Sequence, residues 1–196
     1  FADAATKAEA SLESPVGPLA LVLLARVRYA QGDNDAALKA LASRPELARA
    51  PAPSALEGKL LYEQALAKHL GEDGRPTEEG GALLTRAAEA LARALESPQA
   101  LTRAEAASAR ITRAYALHRL GDLPGAAAAY EASHLAEPER LAALRGLASL
   151  CAGDLDAYRR SLKNLLAERE GDALASQALA QSYVEHKAFD EALEVA

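Results

Sequence analysis

The dipeptide Gly-Asp recurs at Gly32-Asp33, Gly121-Asp122 and Gly153-Asp154, and a small residue follows each after one further helical turn: Ala37, Ala126 and the Ala157/Tyr158 pair. A second signature, Leu-Glu-Ser-Pro or Leu-Ala-Glu-Pro, closes segments at Leu12 to Pro15, Leu95 to Pro98 and Leu135 to Pro138. Glycine ends helices in the left-handed conformation, and the residue before a proline disfavours helix. Both signatures are therefore stop signals. The small position steps from Ala4 to Ala37, Ala87, Ala126, Tyr158 and Ala192, at intervals of 33, 50, 39, 32 and 34 residues. Recurrence at this length marks stacked helical hairpins, none of which can bury its apolar face alone.

Composition supports an all-α chain. Alanine and leucine dominate, aromatics make up 4% of the 196 residues, and tryptophan and methionine are absent. Such a core relies on close helix approach over alanine, each contact burying little apolar surface. The formal charge is −6 with both signs interspersed. No basic run is present to neutralise phosphates, so nucleic acid is not an expected partner. One cysteine, Cys151, excludes an internal disulfide. The longest apolar stretch, Leu19 to Ala25, falls short of a membrane span. With no methionine at position 1 and an Arg- and Ala-rich bias, the chain reads as a segment of a longer bacterial protein. Any signal or anchor would then lie outside it, leaving cytoplasm and periplasm equally open.

The pattern Phe1, Ala4, Ala8, Leu12 predicts a leading helix ending at Ser14-Pro15. Pro18 opens the next helix at a first-turn position, and Gly32-Asp33 reverses the chain into a helix to Leu41. The Ala-Pro-Ala-Pro stretch at 50 to 53 reads as a spacer, with Ser54 as the N-cap of a second hairpin. Its turn is a long acidic loop from Gly71 to Glu79, best read as a tolerated surface insertion, and its return helix is predicted over Leu83 to Leu95. Thr102 and Glu105 form a capping-box pattern ahead of the third hairpin, whose return helix is expected from Gly125 to Ala136. The fourth hairpin turns at Gly153-Asp154. The fifth carries Leu179, Tyr183, Phe189 and Ala192.

The series Leu179-Ala180, Tyr183, Phe189, Ala192 resembles the repeat of the tetratricopeptide repeat (TPR) family, a helix-turn-helix of 34 residues. Leu24-Ala25 with Gly32-Asp33 and Ala37, and Ala114 with Gly121-Asp122, Ala126 and Pro138, resemble it next best. No repeat has the family's Trp, and Tyr158 occupies a normally small position. The resemblance implies one right-handed α-α superhelix of about eleven helices. It would comprise a leading half repeat, 1–15, and five hairpins, roughly 16–50, 54–98, 101–138, 139–171 and 172–196.

In that family the first helices line a concave groove that takes a peptide or a partner's helix. The resemblance assigns this role to Val22, Arg26 and Tyr29, to Ile111, Tyr115, His118 and Arg119, and to Arg140, Leu147 and Leu150. Ala143, Cys151, Gln177, Gln181 and Val184 would extend it. Such a groove mixes apolar patches with arginine and suits an amphipathic peptide carrying a carboxylate. The Lys/Asn clamp of chaperone-tail binders is absent, since only Asn34 and Asn164 are available, at a turn and in a second helix.

No catalytic or metal-binding set emerges. His69, His118, His134 and His186 are scattered, Glu185-His186 lacks a second histidine, and Gly71 to Gly81 lacks a Gly-Lys-Ser/Thr ending. Asp33-Asn34-Asp35 and Asp154-Leu155-Asp156 lack the Gly and Glu of a calcium loop and read as turn and cap residues. Cys151 reads as a buried helical thiol. We therefore expect a non-enzymatic scaffold without cofactor or metal, binding another protein within a bacterial assembly. Self-association through the end repeats, or service as the regulatory arm of an enzyme lying elsewhere, are the alternatives.

Overall fold

The computed structural model describes residues 2–72, 74–132, 146–168 and 172–195. The chain divides into two compact units, Phe1–Asp122 and Leu123–Ala196. Apart from one isolated bridge between Leu70 and Pro76, the regular structure of the described residues is helical.

The first unit contains α1 (Ala2–Ala10), α2 (Gly17–Ala30), α3 (Asn34–Ala42), the short α4 (Pro45–Ala48), α5 (Pro51–Lys68), α6 (Glu78–Leu95), a 3-10 turn (Pro98–Ala100) and α7 (Arg103–Leu120). Helices α2 and α3 form one hairpin and α5 and α6 a second, with α7 packed on α5 and α6. Leu21 and Ala25 of α2 meet Ala37 and Leu41 of α3 and Leu60 of α5 in a fully buried cluster. Each such leucine contributes about 1.5–3 kcal/mol of burial. Ala5 and Ala8 seat α1 against Leu24 and Val27 of α2. Ala65, Leu84, Ala88 and Ala116 join α5, α6 and α7. Gly58 lets α5 and α6 approach closely: a Cβ there would lie 2.5 Å from Leu91 Cγ and 2.9 Å from the Ala87 carbonyl oxygen.

The second unit contains α8 (Leu123–Glu131), a helical stretch at 146–151, α9 (Leu155–Glu168), α10 (Ala173–Glu185) and α11 (Phe189–Val195). Its core gathers Leu162 and Leu165 of α9, Ala175, Leu179 and Tyr183 of α10, and Ala192 of α11. Arg159 lies over the Tyr183 ring at 4.3 Å and donates to the Ser182 carbonyl at 2.6 Å, tying α9 to α10. Leu135 to Pro138 lie outside the described residues.

The Gly-Asp signature does what its chemistry predicts. Gly32, Gly121 and Gly153 have φ of 82°, 80° and 81°. The amide after each donates back five residues, Asp33 to Arg28, Asp122 to Leu117 and Asp154 to Ser149, closing the carbonyls left open at the helix end. The last hairpin makes the same turn without glycine. Lys187 adopts φ 60°, and Ala188 donates to Tyr183 at 2.9 Å. Asp33 and Asp154 cap the returning helices, accepting from Ala36 and Ala157 at 2.8 Å each.

Around the second hairpin the structure corrects the sequence reading. Residues 50 to 53 are no spacer: Ala50 is the N-cap and α5 starts at Pro51. Both prolines sit in the first turn, where a missing N–H costs nothing. Ser54 is not a cap but a fully buried residue of that turn, donating to the Ala48 carbonyl at 2.9 Å. Helix α6 begins at Glu78, five residues before the expected Leu83, because Thr77 Oγ1 accepts from the Gly80 amide and caps it. The intervening loop closes on itself, Gly71 donating to Arg75 and Thr77 to His69. Helix α8 likewise starts at Leu123, two residues ahead of Gly125.

Candidate functional site

Helices α2, α5 and α7 of the first unit border a cleft of about 390 Å³. Its α5 wall is Ala52, Ala55, Leu56, Lys59 and Leu60, and Leu91 of α6 reaches its floor. Helix α7 supplies Ala104, Glu105, Ser108, Ala109 and Thr112, and α2 supplies Arg26 and Tyr29. The floor is apolar and the rim polar. Its size is at the small end of the roughly 300–1,000 Å³ seen for ligand sites.

An ion pair bridges the rim. Arg26 Nη2 of α2 lies 2.9 Å from Glu105 Oε1 of α7. Glu105 is also the third residue of α7, and its other oxygen accepts from the Thr102 amide at 3.0 Å and the Thr102 hydroxyl at 2.8 Å. Thr102 Oγ1 in turn accepts from the Glu105 amide, completing the capping box that the sequence predicts. The Thr102 backbone bond first, then its hydroxyl and Arg26, hold the Glu105 carboxyl below its ordinary value against the opposing effect of burial.

Tyr29 is 40% exposed at the same rim. Its hydroxyl bonds Glu63, whose carboxylate pushes the tyrosine pKa up. Lys59 Nζ sits 6.0 Å from the Tyr29 ring centroid and 3.7 Å from Glu63. Farther along the same helices, Tyr62 of α5 and Tyr115 of α7 stack at 6.5 Å. Burial raises the Tyr62 pKa, opposed by a hydrogen bond from Arg119. Arg119 also donates to the Gly74 carbonyl at 3.1 Å, fastening the 69–77 loop to α7. Half-buried His118 is shifted below its ordinary value, by burial first and then by neighbouring Arg119.

The residues assigned to the groove therefore fall into four places. Arg26 and Tyr29 line the cleft, while Tyr115, His118 and Arg119 lie beyond it on α7. Val22 and Ile111 are buried, at 6% and 7% exposure, and line no part of it. Leu147 and Leu150 are half-buried in the second unit, and Arg140 lies outside the described residues, as does Ala143. Cys151 is buried and its thiol pKa raised by that burial. The sequence reading missed the whole α5 wall and Glu105. Projecting first-helix positions through residues 52–60 would have found the wall.

Among the described residues no group of three or more His, Cys, Asp or Glu side chains is placed to hold a metal. No helix of the described residues is long and apolar enough to cross a membrane.

No protein-family model matches this chain, and no curated protein matches its sequence. Among solved structures it is similar to a thermophilic TPR protein of Thermus thermophilus, at 22% identity and a TM-score of 0.54. The likeness covers 92% of this chain and 89% of that one. The fold is that of the tetratricopeptide repeat. In TPR terms α2/α3 and α5/α6 are complete hairpins of the first unit, and α10/α11 is a complete hairpin of the second.

Proposed function

We propose that this chain is a protein-interaction scaffold that binds an extended peptide or a partner's helix in the cleft between α2, α5 and α7. One observation carries the reading: three neighbouring helices of a TPR fold leave an apolar floor under an exposed, charged and aromatic rim. Exposed aromatic and charged groups around a desolvated pocket are the usual layout of a binding hot spot. The segment acts by binding and not by catalysis, and its natural setting is a bacterial multiprotein assembly.

The test places a photo-crosslinking residue at Lys59 on the rim and, as control, at Lys39, which is exposed on α3. A partner that crosslinks from position 59, not from 39, and whose affinity for the chain without the crosslinker is lost on combined Arg26→Ala, Tyr29→Ala and Lys59→Ala substitution supports the cleft. Unchanged affinity in that triple variant, with helical content retained, refutes it.

A second reading, self-association, is favoured by apolar side chains that lie uncovered on other surfaces. Leu19 and Leu23 of α2 are 63% and 46% exposed, and Phe189 and Leu193 of α11 are 58% and 78% exposed. Sedimentation showing a monomer mass independent of concentration removes this reading.

A further inference from the structure

The Arg26–Glu105 pair is lopsided. Glu105 keeps two hydrogen bonds to Thr102 whether or not Arg26 is present. Arg26 is 55% exposed, and among the described residues Glu105 is its only carboxylate partner. A carboxylate held from two sides stays in place when the pair opens, whereas a long guanidinium side chain with one partner is free to swing. Arginine offers a planar fork matched to carboxylates, so an incoming carboxylate competes with Glu105 on equal chemical terms. The same cleft is lined by Ala55 and Ala109, whose small side chains leave room for a bulky one.

We propose that the occupant of this cleft is a peptide segment carrying a large apolar residue next to an acidic one. The apolar side chain fills the pit between α5 and α7, and its acidic neighbour takes Arg26 from Glu105. Glu105 thus serves as a built-in stand-in for the ligand's carboxylate, keeping Arg26 paired until a partner arrives. This rests on the cleft being the binding site and adds the chemistry of what it selects. A basic peptide aimed at Glu105 would instead have to displace Arg26 and leave that cation unpaired, the less favourable exchange.

The full chain is titrated with short synthetic peptides that carry one Leu or Phe in a soluble neutral background, flanked by Asp, Asn or Lys. The expected order is Asp tightest, by roughly two- to threefold over Asn, the scale of an exposed ion pair. Arg26→Gln abolishes that preference, so that the Asp and Asn peptides bind alike. Glu105→Gln keeps a side chain that can still close the capping box but frees Arg26, so the Asp peptide binds several-fold tighter than to the parent. A merely structural Glu105 would not produce that gain. Equal affinity for Asp and Asn peptides, or preference for Lys, overturns the exchange while leaving the cleft as a binding site. No binding by any peptide overturns both.

Discussion

Arg26 and Glu105 stand 79 positions apart in the chain and 2.9 Å apart in space, joining α2 to α7 through one ion pair. Because Glu105 also closes the Thr102 capping box, one side chain serves both a helix terminus and the cleft rim. These roles separate by substitution. Glu105→Ala loses both and is expected to cost about 1 kcal/mol, the usual worth of a cap. Glu105→Gln retains the box and costs a few tenths, since exposed ion pairs contribute little. Urea unfolding followed by helical circular dichroism distinguishes them.

Acidification should weaken the first unit in two steps of identifiable origin. His118 has a folded pKa below its ordinary 6.5, so the unfolded chain binds its proton first, and stability falls as pH drops below that value. Glu105 has a folded pKa below its ordinary 4.5, so its contribution is whole above that pH and is lost as pH falls through the lower folded value. The variant His118→Gln is expected to flatten the first step and Glu105→Gln the second. Chemical unfolding repeated across pH reads both.

Gly58 is where a methyl group cannot be added without movement. Gly58→Ala brings a Cβ against the Leu91 side chain and the Ala87 carbonyl. Overpacking of this kind costs about 1–3 kcal/mol, against up to about 1 kcal/mol gained in helix propensity. The expected outcome is a net loss of stability, seen as a lower urea midpoint at unchanged slope.

Lys187 offers the opposite case. It occupies at φ 60° the place that glycine takes in the other three turns. A side chain in the left-handed region is strained by about 1–2 kcal/mol, partly returned by the greater freedom of unfolded glycine. Lys187→Gly should therefore stabilise the α10/α11 hairpin by up to about 1 kcal/mol. Slower hydrogen exchange at the amides of α11 is the direct readout.

The parts of this fold legible in sequence are those where the backbone demands a particular residue. Gly32, Gly121 and Gly153 stand out because a helix must end there with positive φ, and Asp33 and Asp154 because a new helix needs an acceptor. The second hairpin was opaque for the same kind of reason. Pro51 and Pro53 break a helix in its interior but not in its first turn, and nothing local tells the two apart. Most of the α5 wall lay inside the expected second hairpin, and only the convergence of α2, α5 and α7 in space marks it as a cleft. Val22 and Ile111 were misassigned because a helical face facing a groove and one facing a neighbouring helix share a period. The burial that separates them is tertiary. Glu105 was seen only as a cap, since its pairing with Arg26 spans more chain than any local pattern covers.

Four of the positions bounding the cleft, Ala52, Ala55, Ala104 and Ala109, project nothing beyond a methyl group. The depth of the recess is thus an effect of side chains that are missing, and apart from Glu105 the residues that turn and cap the backbone lie outside the cleft. A lineage could reshape what this surface accepts by enlarging one alanine at a time, leaving the frame of the repeats intact. Only at Glu105 are selectivity and foldability written in the same letter; elsewhere they are free to evolve at different speeds.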